Sequence, residues 1–272
     1  IKSYPTANYV NYYGMQNGYP INDMTKADAE SGYDPTHPWK NRDPRFYKTI
    51  MFDGVKWRNT GGAGGTAELF TGGRESEEAN EKKGCFTAYM NSKLCPQLMN
   101  TFDGYKENNI MILSLMRLAD VYLMYAEATA VGYNSPKGKA ATYSLTAEEA
   151  LNKIRERAGV APVLEKFLGS TADFLSELRR ERAVELSFEG FRFTDLRRWM
   201  LLTQYPYTLK TKIEFDRADP NNYNYDAPEE NAIKNLREVV LIERKYTDRH
   251  YWYPLPKKDV SMYEGFYQNP GW

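Results

Sequence analysis

One stretch of the chain, from Phe174 to Gly190, constrains the fold more than any other. Wound at about 100° per residue, it places its apolar side chains on one arc of roughly 160°, which predicts an amphipathic helix. Charged residues fall inside the same arc, namely Glu181, Arg182, Glu185 and Glu189. Buried charges persist only when they are paired and hydrogen-bonded, so we expect ion pairs where this helix meets the core.

Arginines and an aspartate follow this helix immediately and are expected to pair with its charges. Gly190 is suited to end the helix, because glycine tolerates the left-handed conformation common after a last helical turn. Thr194 or Asp195 would then cap a second, shorter helix that runs to about Thr203. The predicted network comprises Glu181, Arg182, Glu185, Glu189, Arg192, Asp195 and Arg197.

This charged cluster has two interpretations. Converging carboxylates and arginines would carry out acid–base catalysis or bind phosphate. Alternatively, they form a structural ion-pair network that joins two helices. We favour the structural network, because arginines keep carboxylates ionised, and an ionised carboxylate has no proton to donate as a general acid.

Two further helices are predicted before the central one. Apolar side chains recur on one face over residues 115 to about 131, which predicts an amphipathic helix. Thr146 and Glu149 form a capping box that opens the next helix, which is expected to end near Gly159. We expect these two helices to pack as an antiparallel hairpin. Residues 110–204 are therefore expected to form a helical core.

The segment before this core lacks a helical period. Residues 1–109 are rich in glycine, proline, asparagine and tyrosine, which predicts long loops with short strands. Residues 46–57 are expected to form a hairpin that turns at Asp53-Gly54.

The segment after the core is expected to be an irregular tail over residues 205–272. Within it, residues 238–245 fit either a strand or a helix. We expect the tail to pack back on the helices, because its large aromatic side chains need burial. These side chains include Trp252, Tyr253 and Phe266.

Charge and composition narrow the classes of partner. The chain carries 36 Lys and Arg residues against 36 Asp and Glu residues, so no net field favours nucleic acid or an anionic membrane surface. Tyrosine outnumbers phenylalanine by 22 to 12, which suits surfaces that need an apolar face and a hydrogen-bonding tip, in sugar binding or another wet interface. No initiator Met, signal peptide or bilayer-spanning apolar run is present, so we expect a mature fragment or the product of a cut.

Side chains that would carry catalysis or bind a metal are few. His37 and His250, the only histidines, lack the spacing of a zinc site or a catalytic triad. A disulfide between Cys85 and Cys95 would stabilise by roughly 2–3 kcal/mol in an oxidising compartment, and two free thiols are the alternative. Residues 216–226 carry many side-chain oxygens but lack the EF-hand order, so we favour a solvated loop over a Ca²⁺ site. We expect no metal and no cofactor.

Several blocks of the sequence resemble signatures of the SusD/RagB family of surface nutrient-binding lipoproteins from Bacteroidetes. One block runs from Glu181 to Trp199 and contains the charged cluster. The others, in chain order, are RDPRF at 42–46, ADVYLMYAEA at 119–128, ALNKIRERAG at 150–159, WYPLP at 252–256 and QNPGW at 268–272. The resemblance covers almost the whole chain, but only about the C-terminal half of a typical family member.

The resemblance implies a mainly α-helical, SusD-like fold whose helical repeats belong to an N-terminal half outside this chain. It also implies a non-enzymatic role. Similar proteins lie at the cell-surface face of the outer membrane, where they bind oligosaccharides or other nutrients and cover a SusC-like, TonB-dependent transporter. The implied partners are therefore a glycan, that transporter and the N-terminal half of the same protein. The membrane is a partner only through a lipid anchor outside this chain.

Ligand-binding residues are implied by the same resemblance, because the family's ligand-side aromatic residues lie in variable loops, some near residues 42–46. We predict Tyr33, Trp39, Trp57 and Arg58, since flat rings cover the C–H groups of a sugar and planar polar groups pair with its hydroxyls. A place in the core is the alternative for Trp39 and Trp57. Structural roles are assigned to Trp199 and Trp252 in the core, and to Arg42 and Arg45 as donors to backbone carbonyls or carboxylates.

Two other functions are compatible with the sequence. A surface glycoside hydrolase needs only two suitably placed carboxylates, and 36 acidic residues leave such a pair open. An intracellular helical scaffold for peptides would need units of fixed period, which the helices here do not show. A signal peptide followed by Cys upstream would favour the lipoprotein, and its absence the scaffold.

Overall fold

Helices dominate the regular structure of the chain. The computed structural model describes residues 4–21, 29–58, 65–76, 84–94 and 114–272. Its α-helices are α1 (Ala7–Val10), α2 (Pro44–Thr49), α3 (Leu118–Gly132), α4 (Ala147–Ala158), α5 (Thr171–Glu185), α6 (Phe191–Arg198) and α7 (Lys257–Val260). Its strands are β1 (Ile50–Met51), β2 (Met90–Asn91), β3 (Leu209–Arg217) and β4 (Ile233–Glu243).

Helices α4 and α5 begin at the caps that the sequence supplies. The Thr146 hydroxyl accepts from the Glu149 N–H (3.2 Å), and the Glu149 carboxylate accepts from the Thr146 N–H (2.7 Å), which confirms the capping box. Gly159 then ends α4 with a left-handed φ of 75°. Ser170 caps α5 by accepting from the Asp173 N–H (3.1 Å). Local chemistry therefore sets most of these helix ends.

Small side chains let the three long helices approach one another. Ala126 and Ala130 of α3 and Ala150 of α4 are fully buried in one cluster with Phe174 and Leu178 of α5. Burial of a side chain as large as Phe or Leu stabilises the fold by about 1.5–3 kcal/mol. These contacts hold α5 against α3 and α4.

The central helix ends about one turn earlier than the sequence predicts. Helix α5 stops at Glu185, and Glu189 lies in the link to α6. Phe188 (φ 60°) and Gly190 (φ 89°) adopt the left-handed conformation in this link, which interrupts the helical hydrogen bonding. Gly190 therefore precedes α6 as its N-cap residue, and α6 begins at Phe191, earlier than predicted.

A second hydrophobic core joins the N-terminal loops to β3. Its largest fully buried aromatic side chains are Tyr13, Trp39, Phe46, Phe52, Tyr89 and Phe215. Trp39 packs against Phe52 and against Phe215 of β3, with ring centroids 4.9 and 5.2 Å apart. Val184 of α5 also belongs to this core, so α5 contacts both cores.

Strands β3 and β4 pair in antiparallel fashion from Leu209↔Glu243 to Arg217↔Ile233. The region predicted to be an irregular tail therefore begins with a two-stranded sheet, and residues 238–243 adopt the strand alternative. Along β3 buried positions alternate with half-buried ones, as expected for a strand with one face on the core. Strand β3 has no clear signal in the sequence, because most of its side chains are charged or polar.

The hairpin predicted over residues 46–57 is wrong. Helix α2 occupies its first half, since Asp43 caps the helix and Pro44 fits its first position. Strand β1 pairs with the distant β2, and after the turn at Gly54 the chain pairs through Lys56 with Thr66. These pairings join segments that no local turn signal connects.

The aromatic side chains near the C-terminus are exposed. Trp252, Tyr253 and Phe266 expose 57%, 65% and 44% of their surface, so the prediction that they are buried, and the assignment of Trp252 to the core, are wrong. The tail contacts α6 through Tyr251, which is buried beside Leu196 and Leu202. Beyond it the tail makes polar contacts with itself, where Gln268 donates to the Leu255 carbonyl (2.9 Å) and accepts from the Leu255 N–H (2.6 Å). Such contacts hold the backbone without covering the rings.

Candidate functional site

Three carboxylates follow one another at one-turn spacing on α5 and are buried, at Glu177, Glu181 and Glu185. Glu181 accepts from Arg45 Nη1 (2.5 Å) and from Arg155 Nε of α4 (3.0 Å). Arg155 also pairs with Glu177, and Arg45 pairs with Glu185 (2.9 Å). Shared ion pairs therefore join the RDPRF block and α4 to the central helix.

These arginines keep the carboxylates of α5 ionised. Burial by itself raises the pKa of Glu181, but the guanidinium groups of Arg45 and Arg155 outweigh it and lower the pKa to about 2. Burial opposes the same change at Glu185, where Arg117 and Arg45 lower the pKa below its ordinary value. Both groups are therefore hydrogen-bond acceptors at neutral pH, with no proton to donate as a general acid.

The network extends past the end of α5. Glu189 accepts from Arg117 Nε (2.8 Å) and from Lys93 Nζ (2.6 Å). Arg117 also pairs with Glu185 (2.5 Å), and so does Arg157 of α4 (2.6 Å). The link between α5 and α6 is thus held from two sides although it is not helical.

A second cluster is centred on Arg182. Its Nε donates to Asp195 of α6 (2.8 Å) and its Nη1 to Asp120 of α3 (2.5 Å). Asp195 also accepts from Arg198 (2.9 Å), which binds Glu127 of α3 through both terminal nitrogens (2.6 and 2.7 Å). Two-point pairing of this kind fixes orientation as well as distance, so α3, α5 and α6 are held in one register.

Two arginines predicted to belong to the network lie outside it. Arg192 donates to the Tyr12 hydroxyl (2.8 Å), and Arg197 donates to the Tyr251 carbonyl (3.1 Å). Neither pairs with a carboxylate in the described part of the chain. Because α5 ends early, both residues lie on the separate helix α6. The α5 carboxylates pair instead with arginines from distant segments of the chain.

Arg42, in the RDPRF block, is a structural donor, as predicted. It is fully buried, and its guanidinium donates to the carbonyls of Pro38 (2.8 Å), Tyr13 (2.9 Å) and Val10 (3.1 Å). Trp199 is half-buried, and its indole N–H donates to Glu127 (2.7 Å). Both side chains therefore hold the scaffold, and Trp199 does so from a half-buried position rather than from the core where the sequence analysis places it.

The structure places the four predicted ligand residues in two different settings. Tyr33 and Trp39 are buried, with 4% and 0% exposure, so neither presents a ring face at the surface. Trp39 donates to the Tyr89 hydroxyl (3.3 Å) inside the core, which is the alternative that the sequence left open. Trp57 and Arg58 are half-buried, and the Arg58 guanidinium lies 4.1 Å from the centre of the Trp57 ring.

A broad cleft lies where α5 faces the N-terminal segment and the β3–β4 sheet, with a volume of about 810 Å³. Its aromatic lining consists of Tyr12, Phe167, Tyr205 and Tyr207. Tyr205 is 76% exposed, so its ring is open to a ligand. The amide side chains of Asn8 and Asn11 and several guanidinium groups lie among these rings. This size is in the range of small-molecule and oligosaccharide sites.

Other candidates for chemistry are occupied or isolated. His37 lies 3.0 Å from the Asp34 carboxylate in an exposed turn, and His250 accepts from the Thr247 N–H (2.9 Å). Cys85 is a buried free thiol, and Cys95 lies outside the described residues. The ranges described above contain no group of three or more His, Cys, Asp or Glu side chains that would hold a metal ion. Asp219 accepts from backbone N–H groups of its own loop.

The cleft is not predictable from local sequence patterns, because its walls come from segments as far apart as Asn8 and Val240. One local signal was available. The Tyr-Pro-Tyr run at residues 205–207 places two aromatic rings around a proline directly after the last long helical block. None of the helices in the described ranges is long and apolar enough to span a membrane.

Fold and site together define a mainly α-helical protein with long ordered loops, a central helix held by buried ion pairs and an open cleft rich in rings and cations. The profile of the SusD family matches residues 2–272. The chain belongs to that family. Among curated protein sequences, none matches it.

Solved structures share this fold. A SusD-like protein from Bacteroides fragilis NCTC 9343 is similar with a TM-score of 0.68 at 22% identity, over 99% of this chain and 47% of that one. A SusD-like carbohydrate-binding protein from the same organism gives 0.60 at 19% identity, over 94% and 46%. The predicted mainly α, SusD-like fold is confirmed, and the chain spans slightly less than half the length of either structure.

Proposed function

We propose that this protein binds a glycan without cleaving it and passes it to a SusC-like, TonB-dependent transporter of the outer membrane. Membership of the SusD family supports the proposal, as does the likeness to a structure described as a carbohydrate-binding protein. The observation that carries it is the cleft of about 810 Å³ with its aromatic lining.

The chemistry of the cleft suits a sugar. Aromatic rings cover the C–H faces of a pyranose, and the hydroxyls around its edge need planar donors and acceptors. Tyr205 and Tyr207 supply rings on one side, and Tyr12 supplies a ring on the N-terminal segment. The Asn8 and Asn11 amides of the lining already donate to Leu209 and Glu238, so the planar donors that the described part of the cleft offers are the guanidinium groups of Arg179 and Arg192. A ligand in this cleft would therefore meet both kinds of contact.

The acidic side chains of the cleft are already engaged, which supports binding over hydrolysis. Glu177 pairs with Arg155 and Arg180, and these partners lower its pKa although burial alone would raise it. Glu238 accepts from the Thr211 hydroxyl (2.5 Å) and from the Asn11 amide (3.3 Å). A glycosidase needs one carboxylic acid with a raised pKa, and Glu177 has the opposite shift.

Trp57 and Arg58 form a second proposed contact with the glycan. Arg58 is held by Glu75 (2.9 Å) and stacks on the half-exposed indole of Trp57. A stacked guanidinium and indole present one flat edge and several donors. We place this pair as an additional contact for a long glycan.

The same proposal includes where the protein is located, which transporter it serves and which further part of the polypeptide it contacts. We place the protein on the cell-surface face of the outer membrane, held by a lipid anchor, with the N-terminal half of longer family members as an intramolecular partner. Labelling of intact cells with an antibody tests the location. Co-purification with a TonB-dependent transporter, lost in a strain that lacks this protein, tests the partnership.

Isothermal titration of the natural protein against host, plant and microbial polysaccharides tests the function, with product analysis of every mixture. We expect binding without cleavage. Tyr205→Ala removes an exposed ring of the cleft and should weaken binding about tenfold, as expected for loss of a contact of about 1.4 kcal/mol. Trp57→Ala tests the second contact in the same way.

Tyr267→Ala is the matched control, because Tyr267 is 83% exposed and does not line the cleft. It should leave the affinity unchanged. Released sugars would replace the proposal by a glycoside hydrolase, and the absence of binding to every glycan would refute it. If Tyr205→Ala and Tyr267→Ala behave alike, the glycan does not occupy this cleft.

A further inference from the structure

Basic side chains in the cleft outnumber their acidic partners. The basic lining residues are Lys166, Arg179, Arg180 and Arg192, and the acidic ones are Glu177 and Glu238. Arg180 is neutralised by Glu177 (2.8 Å). Over the described ranges, no carboxylate lies within ion-pair distance of Lys166, Arg179 or Arg192. The cleft therefore carries an excess of positive charge in a protein whose net charge is zero.

Arg192 is placed between two rings of the cleft. Its guanidinium carbon lies 4.7 Å from the centre of the Tyr12 ring and 5.6 Å from that of Tyr207. One terminal nitrogen donates to the Tyr12 hydroxyl, and the remaining N–H groups donate to no acceptor in the described part of the protein. A stacked guanidinium keeps its orientation, so these N–H groups are ready to bind a planar anion.

Arg179 shows the same lack of a partner. Its guanidinium lies 5.4 Å from the centre of the Trp199 ring, and its Nε is buried with no hydrogen-bond acceptor in the part of the chain that the structure describes. Buried donors are nearly always satisfied in native proteins, by protein groups, water or a ligand. The terminal nitrogens of Arg179, which lines the cleft, also donate to no acceptor among the described residues, and a bound ligand would supply one.

The pKa of Lys210, on β3 beside the cleft, reflects the same excess of positive charge. Burial lowers its pKa, and the positive charges of Arg244 and Arg192 lower it further, to about 8. Its ammonium group donates to the Tyr207 carbonyl (3.5 Å) and meets no carboxylate within the described residues. Lys210 and Arg192 thus both lie near Tyr207, and neither has a carboxylate partner among the described residues.

We propose that the glycan bound in this cleft is acidic, and that its carboxylate or sulfate groups pair with Arg192 and Arg179. The inference rests on the glycan-binding function proposed above and names its substrate class. Tyr12 and Tyr207 would cover the sugar ring while Arg192 between them binds its acidic substituent. Guanidinium groups bind carboxylate and sulfate through two parallel N–H donors, which a neutral hydroxyl accepts less well.

Matched ligands test this inference by isothermal titration of the natural protein. Oligomers of galacturonic acid are compared with their methyl esters, and sulfated galactan oligomers, which carry no carboxylate, with their desulfated forms. The first pair tests carboxylate and the second tests sulfate. We expect one acidic member to bind at least about tenfold more tightly than its neutral partner, with an affinity that falls as salt is added.

Two substitutions locate the effect. Arg192→Gln and Arg179→Gln should each weaken the preferred acidic ligand by about tenfold to hundredfold and leave its neutral partner nearly unchanged. Arg192→Lys keeps the charge but loses the two-point geometry, so it should give an intermediate affinity. Lys137→Gln is the control, because Lys137 is an exposed cation that pairs with Glu148 away from the cleft.

Three outcomes overturn the inference. Equal binding of acidic and neutral partners, unchanged by Arg192→Gln, removes the acidic preference and leaves glycan binding intact. A loss of thermal stability in Arg192→Gln, with ligand discrimination unchanged, would show that protein carboxylates occupy these cations in the natural protein. Inorganic sulfate that binds as tightly as the oligosaccharide would reduce the cleft to a simple anion site. The absence of any glycan binding would instead refute the proposed function itself.

Discussion

Two regions of the molecule satisfy their backbone hydrogen-bonding groups in different ways. One is the helical core of α3, α4 and α5, and the other is the set of N-terminal loops that pack on β3. Helices satisfy their own backbone groups, so side chains remain available for ion pairs between elements, such as Glu181 with Arg155. The loops cannot do this. Distant side chains satisfy their backbone, as Arg42 does for three carbonyls and Thr211 does for Asn8.

This difference determines which substitutions destabilise each region. In the helical core, loss of one carboxylate leaves buried arginines short of a counter-charge. In the loop region, loss of one donor leaves backbone carbonyls unpaired. Both cores are apolar, and polar groups at their edges decide which segments lie next to one another.

The largest effect is expected from Glu181→Gln. The substitution leaves Arg45 and Arg155 buried without their shared carboxylate, and breaking a buried pair in this way costs about 3–5 kcal/mol. Urea titrations of the natural protein measure the loss. Glu156→Gln on α4 is the control, because that side chain is 73% exposed and its pair with Lys153 should contribute at most about 1 kcal/mol. Equal losses would remove the distinction between buried and exposed pairs.

Acid should weaken the helical core through the same residue. The folded pKa of Glu181 is about 2, below the value of about 4.3 expected for an unfolded chain. Its stabilisation is therefore complete above about pH 4.3 and is lost as the pH falls towards 2, with a total of about 3 kcal/mol. Urea midpoints measured between about pH 6 and about pH 3 check this. The Glu181→Gln protein should lose less stability than the natural one over this range, and parallel curves would contradict the assignment.

Arg42→Lys tests the loop region. A lysine keeps the charge but cannot reach three carbonyls in the directions that the guanidinium serves. Each buried acceptor left unpaired costs about 1–3 kcal/mol, so we expect a total loss of at least about 2 kcal/mol in urea titrations. Arg237→Lys, at a side chain that is 72% exposed, should change stability by less than about 0.5 kcal/mol. A tolerated Arg42→Lys would mean that charge alone holds these loops.

The smallest effects separate local from distant contacts most sharply. Thr146→Ala removes the cap of α4, and Thr211→Val removes the hydrogen bonds to Asn8 and Glu238; each should cost about 1 kcal/mol. Hydrogen exchange should rise only in the first turn of α4 for the former. For the latter it should rise in both α1 and the β3–β4 sheet. If hydrogen exchange rises only beside the substituted residue in both proteins, the contrast between local and distant contacts is contradicted.

The difference between local and distant contacts also decides which features of the structure the sequence predicts. The cap at Thr146 and the end at Gly159 depend on residues within a turn of one another, and the structure has them where the sequence places them. The end of α5 was missed, since Phe188 adopts a left-handed conformation that is unusual for an aromatic residue and has no local signature.

Long-range contacts account for the rest. Side-chain types on α5 predict that its carboxylates need arginines, but not that these come from residues 45, 117 and 155. Trp39 and Trp57 have similar neighbours in sequence, yet only Trp39 packs between Phe52 and Phe215. Arg192 was placed in the network because it is close in sequence to Glu189, whereas its contacts are with Tyr12.

The hydrogen bond between Asn8 and Thr211 spans 203 residues and has a consequence for biosynthesis. During synthesis the loops before α3 leave the ribosome before β3, which supplies Phe215 to their core, has been made. The helices can form as they emerge, because their contacts are local. Until β3 is made, the loops stay unfolded with their aromatic side chains exposed to water, where a chaperone or a protease can bind them. We therefore expect chains that stop before residue 209 to be degraded in the cell, even though every long helix is complete.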